Sequence, residues 1–342
     1  MTSEPLISVI IPSYNMAPWV ERCVRSVLGQ AHARLEVIAV NDRSTDDTGT
    51  LLDALAASDP RLKVLHLPVN LGLHAARRAG FEAAQADLIG FVDSDDHVPA
   101  DLYALLAEAL ARTGADIALG GWRAVGEDGR AESEFTYSDE QVFTDDLPGR
   151  FARLEFSKGV VWNKLYRREI IAPAMAMKLD RAVDSGADYI IGLGNFMRAR
   201  KVVTVPGATY FYVQRRASMS NGMDRAKAFA HLVRCHATAI SQYAADGEQI
   251  LAAVDESYRR QLRFSCYTMD NQSDLLPYRD ELSQALARIA EVRPQAIYPL
   301  IHTFDRSTEA DPVLPLRFHL GQIRISLGKV LTTLFKRTTQ GR

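Results

Sequence analysis

Leu88-Ile89-Gly90-Phe91-Val92-Asp93-Ser94-Asp95-Asp96 is the stretch on which the fold turns. Leu88 to Val92 are apolar or small, the pattern of a buried parallel strand bounded by turn-forming residues. Three carboxylates, Asp93, Asp95 and Asp96, follow at once. Like charges crowded at a strand end repel one another, and a cation between them makes the cluster favourable. Hard oxygen donors suit Mg²⁺ or Mn²⁺, with phosphate oxygens filling the rest of the shell. In open α/β sheets ligands bind at this carboxyl end of the strands. Pro99 then suits the first turn of the next helix. The plain alternative is a solvated acidic turn that opens that helix.

Upstream and downstream, strands and helices alternate. Leu6 to Ile11 is a continuous apolar strand that stops at Pro12, followed by a polar Ser13-Tyr14-Asn15 turn. Ala17 to Leu28 has helical spacing, with Val20, Val24, Val27 and Leu28 on one face. Leu35 to Val40 is a second buried strand, ending at Asn41-Asp42. Ser44, Thr45, Asp46 and Asp47 supply caps and first-turn acids for a helix to about Ala57. Leu62 to Leu67 is a third strand and Gly72 to Ala84 a third helix. After the central strand come a helix from Pro99 to Arg112 and a strand from Ala115 to Leu119. The alternation predicts a doubly wound, mainly parallel sheet. Trp122 to Val125 and Ala131 to Tyr137 read as a hairpin. Ser185 to Arg198 reads as a helix, and Lys201 to Val205 and Thr209 to Val213 as strands. From Asp224 to Val292 the chain reads as helices broken at Asp246-Gly247 and at Ser273 to Pro277. The expected division is a domain over 1–221 and a helical region over 222–342.

Composition narrows the classes. Of 342 residues, 47% are hydrophobic and 24% charged, as in ordinary globular proteins. A net charge of -2 gives no electrostatic footprint for nucleic acid. Cys23, Cys235 and Cys266 lie far apart, with no CxxC, so neither a zinc site nor a disulfide framework is signalled. The first residues lack a basic segment followed by an apolar run, so a cytoplasmic protein is expected. From Leu316 to Arg337 an apolar stripe recurs through Leu320, Ile323, Leu327, Val330, Leu331 and Leu334. It is flanked by Arg317, Arg324, Lys329, Lys336 and Arg337, with no acid after Asp311. A basic amphipathic helix of this kind can lie on an anionic membrane, here the inner face of the cell membrane, or pack on the domain.

The strand ends carry the chemistry. Asp42 ends strand two, where a carboxylate can accept two hydrogen bonds from a ribose diol or a base edge. Neither GxGxxG nor GxxxxGK[ST] occurs, so a diphosphate would be held through a metal rather than a glycine-rich cradle.

Four blocks, in order, resemble one family. Ile7-Ser8-Val9-Ile10-Ile11-Pro12-Ser13-Tyr14-Asn15 is similar to the opening of family 2 glycosyltransferases of the GT-A fold. Asn41-Asp42-Arg43-Ser44-Thr45-Asp46-Asp47-Thr48 is similar to their D-x-S-x-D-x-T block. Asn70-Leu71-Gly72 with Arg77-Arg78-Ala79-Gly80 is similar to their third block, and Asp93-Ser94-Asp95-Asp96 to their DxD motif. The likeness runs on loosely through Trp162-Asn163-Lys164-Leu165-Tyr166-Arg167 to Ser218-Met219-Ser220. It does not cover the last third of the chain.

The resemblance implies an α/β GT-A fold. It also implies a nucleotide-sugar donor, most often a UDP-sugar, and a Mn²⁺ or Mg²⁺ ion, with inversion at the anomeric carbon. Pro12, Tyr14, Asn15 and Asp42 would then meet the nucleoside, with Asp93 and Ser94 at the ribose and metal region. Asp95 and Asp93 would hold the metal. Arg77 would add a cation for the diphosphate, and Arg215 and Arg216 could close over it. Trp162 and Lys164 would face the acceptor, a glycan or a lipid-linked glycan of a surface polysaccharide. An inverting displacement needs a base for the acceptor hydroxyl. The family's Glu-Asp pair falls at Ala187-Asp188, so Asp188 is the expected base and Asp184 the reserve. The lost Glu keeps open a non-catalytic, nucleotide-sugar-binding or scaffold subunit of a glycan-assembly complex. A nucleotidyltransferase is the rival enzyme. It would want a glycine-rich basic loop where Ser13-Tyr14-Asn15-Met16-Ala17 stands.

Overall fold

A computed structural model describes residues 4–215, 225–266 and 277–296. The contacts divide the chain into Met1–Asn221 and Gly222–Arg342. In the first unit, β1 (Ile7–Ser13), β2 (Leu35–Asn41), β3 (Leu62–His66) and β4 (Leu88–Phe91) alternate with three helices. These are α1 (Val20–Leu28), α2 (Thr48–Ser58) and α3 (Leu73–Ala83). All four strands run parallel, in the order β3-β2-β1-β4. β1 and β2 are buried along their whole length, as expected for mainly apolar strands covered on both faces, and the polar pair within them, Ser8 and Glu36, bond each other. Truncating a core residue such as Ile10 or Ile38, both at 0% exposure, would cost about 2–5 kcal/mol.

β1 continues through Pro12, which pairs with Val40, instead of stopping there. Pro12 shares the side of Ile10, whose carbonyl accepts Val92 N–H from the β4 segment. Register with β4 ends at Ile10 opposite Phe91. The missing proline N–H therefore points past the last ladder pair and costs no bond. α3 lies close on β1 and β2 because of Gly80. A Cβ there would stand 2.5 Å from Ile10 Cγ2 and 3.1 Å from Val40 Cγ2.

After α4 (Leu102–Thr113) the sheet departs from the expectation. β5 (Ile117–Gly126) is not the next parallel neighbour of β4. β8 (Lys164–Arg167), unread in the sequence, is inserted antiparallel between them. β5 also runs on into the expected hairpin strand and pairs β6 (Ala131–Phe135). The two strands expected over 201–213 are one, β9 (Val202–Gln214), parallel to β5 and capped at its edge by β7 (Val142–Phe143). Between these strands lie α5 (Leu147–Ala152), α6 (Arg168–Ala176) and α7 (Ala187–Arg198). The expected parallel α/β sheet therefore stands as a mixed one.

The second unit contains α8 (Arg225–Gln242), α9 (Glu248–Cys266) and α10 (Arg279–Val292). Its first break falls at Gly247, whose φ of +94° suits glycine. Within it, His236 and Arg293 both bond Asp255, and Arg293 also bonds Glu248. Among the described residues no helix is long and apolar enough to cross a membrane. The basic stripe at 316–337, together with Arg216 and Ser218-Met219-Ser220, lies outside the described residues.

Candidate active site

With strand order β3-β2-β1-β4, the chain reverses its winding between β1 and β4. The crevice at the carboxyl ends of those two strands is the expected ligand site of such a sheet. Tyr14, just past β1, is 41% exposed on one side of it. Asp93 to Asp96, just past β4, stand on the other. Pro12 is buried in β1, and Ser94 is buried at 4%.

The D-x-S-x-D-x-T residues lock two loops together. Asn15 has φ +54°, and its Oδ1 accepts from Thr45 N–H, while its own N–H donates to Ser44 Oγ. Met16 N–H donates to Thr48 Oγ1, and Thr48 Oγ1 donates in turn to Asp46. Ala17 N–H donates to the other Asp46 oxygen. Burial alone would raise the Asp46 carboxyl, but the bonds from Thr48 and Ala17 outweigh it and hold it low. The side-chain oxygen of Asn15, expected on the nucleoside, is thus engaged by the neighbouring loop. Asp42 is 3% exposed. Its carboxylate accepts Leu71 N–H at 2.7 Å and Gly72 N–H at 2.8 Å. Gly72, at φ +93°, opens α3 and turns its N–H toward that carboxylate. Asp42 therefore holds the third block in place, and any ligand contact would use a remaining lone pair.

Beyond β4, the guanidiniums of Arg77 and Arg215 hold three carboxylates, those of Asp93, Asp188 and Asp95. Arg77, 1% exposed on α3, donates to Asp93 Oδ1 at 2.9 Å and to Asp188 Oδ1 at 2.5 Å. Burial pulls the guanidinium down, and the carboxylates of Asp188 and Asp93 push it up by more. Burial pushes the Asp93 carboxyl up to about 6. Arg77 opposes that shift, and the charges of Asp188 and Asp95 add to it. Asp95 Oδ2 accepts two bonds from Arg215, from Nε at 2.8 Å and from the terminal nitrogen at 2.5 Å. Asp96 is fully buried; burial and the two neighbouring acids raise it well above the carboxylate range. It accepts from Tyr210 Oη and from Val213 N–H. Tyr210 Oη also accepts Asp93 N–H at 3.1 Å. Tyr210 thereby ties the strand end to β9, a role with no signal in the sequence beyond a tyrosine in an apolar strand.

Three expectations need correction. Arg77 does not present its charge to a diphosphate, because it is buried and divided between two carboxylates. Asp184 is not a free acid beside Asp188. It accepts Leu73 N–H at 2.9 Å and His74 N–H at 3.4 Å, capping α3, which has no side-chain cap of its own. Trp162 and Lys164 do not face an acceptor. Trp162 stacks on Tyr210 at 4.2 Å and on Tyr212 at 5.8 Å between ring centres, at 7% exposure. Lys164 is 1% exposed, and its Nζ donates to Val160 O at 2.5 Å and Asn163 Oδ1 at 2.7 Å. Burial brings that amine down to about 7, with the Asp188 charge opposing the shift. Asp188 is the carboxylate that does reach the site. It is 19% exposed, linked through Arg77 to Asp93, and accepts Val161 N–H at 3.3 Å. Ala187, where the family has Glu, is fully buried at the start of α7.

Comparison with known proteins agrees with this geometry. Residues 8–172 match the family described as glycosyl transferase family 2. An uncharacterized glycosyltransferase of Bacillus subtilis, EpsJ, is 29% identical over 242 residues, covering 70% of each chain. The succinoglycan biosynthesis protein ExoO of Rhizobium meliloti is 28% identical over 255 residues, covering 71% of this chain and 70% of that one. The crystal structure of S. aureus TarS 1-349 in complex with UDP-GlcNAc superposes with a TM-score of 0.67. It shares 20% identity and covers 88% of each chain, a likeness of fold. The family match falls on the same residues as the doubly wound half of the sheet and the Asp93–Asp96 strand end: residues 8–172 belong to glycosyl transferase family 2, and the chain is a glycosyltransferase of the GT-A fold.

Proposed function

We propose that this protein is a divalent-metal-dependent, inverting glycosyltransferase. In this reading it moves a sugar from a nucleotide sugar, a UDP-sugar as first choice, to a glycan or lipid-linked glycan of a surface polysaccharide. The observation that carries the reading is one guanidinium, Arg77, joining Asp93 of the strand end to Asp188 across the same edge of the sheet. A donor-side carboxylate and a candidate base are thereby held side by side. The UDP-GlcNAc bound in the TarS complex and the succinoglycan biosynthesis role of ExoO support the donor and product classes.

The residues at the strand end fit a divalent cation. Asp93 and Asp95 stand two residues apart at the strand end, and burial with the charges of Asp188 and Asp95 raises the Asp93 carboxyl to about 6 against the pull of Arg77, a cost that a cation relieves. Among the described residues no set of three or more His, Cys, Asp or Glu side chains is grouped to hold an ion. Asp93 and Asp95 would hold it with donor oxygens and water completing the shell. Bound there, the ion would offset the charge that grows on the departing diphosphate. The chain's own residues do the rest. Tyr14, exposed at the crevice, offers a ring face to the base. Asp188 accepts the acceptor hydroxyl's proton as that oxygen bonds to the anomeric carbon. The bond to the diphosphate oxygen breaks, and its electron pair leaves with the diphosphate.

The test is a panel of UDP-, GDP- and dTDP-sugars with Mn²⁺ or Mg²⁺, read by thermal shift and nucleotide release. A ligand far above its dissociation constant stabilises the fold by about 2.7 kcal/mol or more. Asp95→Ala or EDTA should abolish transfer, and full activity in EDTA would overturn the metal. Binding of a nucleotide sugar without transfer to any glycan acceptor would favour the scaffold reading.

A further inference from the structure

In the proposed reaction Arg77 forms and breaks no covalent bond and is shut off from solvent; what it touches is the carboxylate of the candidate base. Its surroundings are nonetheless unusual. The guanidinium is 1% exposed, and its Nε is a buried donor with no hydrogen-bond partner. Burying a cation with a donor unmet is unfavourable unless its charge is well used. Two of its arms reach carboxylates from different parts of the chain, Asp93 after β4 and Asp188 at the start of α7. Asp188 is held from its other side as well. Its Oδ2 accepts Val161 N–H, and the loop that carries Val161 is fastened by the Lys164 amine on Val160 O.

We propose that Arg77 is a positioning residue: it sets the Asp188 carboxylate at a fixed place relative to the Asp93 strand end, so that acceptor deprotonation and donor binding share one frame. This rests on the reading of Asp188 as the base. Arg77 engages Oδ1 and Val161 engages Oδ2, so neither oxygen can swing while each keeps a lone pair for an incoming proton. The carboxylate remains 19% exposed, which leaves it a face toward solvent. Without Arg77, Asp93 and Asp188 would be adjacent like charges with no cation between them. They would move apart, and the base would lose its geometry while the nucleoside side of the site stayed intact.

A double-mutant cycle tests this: wild type, Arg77→Gln, Asp188→Asn and the double variant. Nucleotide-sugar transfer is measured for each, with donor KM and far-UV circular dichroism. Asp188→Asn should lower kcat about 10²–10⁴-fold. Arg77→Gln should lower kcat in the same sense, by a larger factor than any rise in donor KM that comes from its Asp93 contact. The double variant should be no slower than Asp188→Asn alone, because Arg77 acts through Asp188. Arg77→Lys, which keeps a charge but bonds the two carboxylates less well, should recover part of kcat. It also serves as the second variant if Arg77→Gln fails to fold. Losses that multiply in the double variant, or a donor KM that rises with kcat unchanged, would overturn the positioning role. Wild-type transfer by Asp188→Asn would overturn the base reading itself, and the single-variant arm reports that separately.

Discussion

In the proposed metal-dependent reaction Arg215 would compete with the divalent cation for Asp95, and its removal should tighten metal binding. Both contacts fall on Asp95 Oδ2, at 2.8 and 2.5 Å, with the side chains only 14% and 17% exposed. Two unit charges about 4 Å apart at an effective dielectric near 20 attract by about 4 kcal/mol. Much of that is returned when both groups are rehydrated, so a net gain of about 1.4–2.8 kcal/mol is the reasonable range. Arg215→Gln should then bind Mn²⁺ about 10–100-fold more tightly than wild type in the absence of nucleotide. Arg215→Lys should fall between the two, since Lys makes a single point contact where Arg makes a fork. The assay is isothermal titration of Mn²⁺ into each protein at fixed ionic strength, with circular dichroism to establish that the variants fold. An unchanged or weaker Mn²⁺ affinity in a folded Arg215→Gln would refute the competition.

Three further outcomes follow from other parts of the molecule. Asp184→Ala removes the carboxylate that caps α3 and should cost about 1 kcal/mol in urea or thermal melts, with Asp184→Asn milder; no loss would show that water replaces the cap. Lys164 has a folded value of about 7 against an ordinary 10.5. Between the two, the unfolded chain holds a proton that the folded chain does not. Wild type should therefore gain stability over Lys164→Met by up to about 1.4 kcal/mol per pH unit from pH 7 to 10, and a pH-independent difference would show the amine staying charged. The basic stripe at 316–337 should carry the full chain onto anionic vesicles at low salt, by about 1 kcal/mol for each cation at the surface. Equal pelleting by a chain ending at Asp311 would remove the membrane contact.

Much of the first unit was legible in the sequence because burial is encoded locally. Ile7 to Ile11, Leu35 to Val40 and Leu88 to Val92 are apolar runs closed by turn-forming residues, and each became a strand. Their shared polarity of ending put Tyr14, Asp42 and Asp93 at one edge without any coordinates. The helices of the second unit were equally readable from periodicity and from the glycine at 247. The tertiary structure alone decided partnership. Lys164 to Arg167 is half cationic and carries no strand pattern, yet it sits inside the sheet because Leu165 and Tyr166 are buried and the Lys164 amine finds backbone carbonyls. Asn15 read as a nucleoside-facing residue and Asp46 as a first-turn acid, and both fasten loops. Asp184 read as an acid near a base and proved to cap a helix 111 residues away from it in sequence. Arg77 read as a diphosphate contact and proved to be the buried link between two carboxylates. A side chain's type and spacing say what it can bond; only the fold brings a partner from a distant segment close enough to take up that bond, and with it the side chain's role.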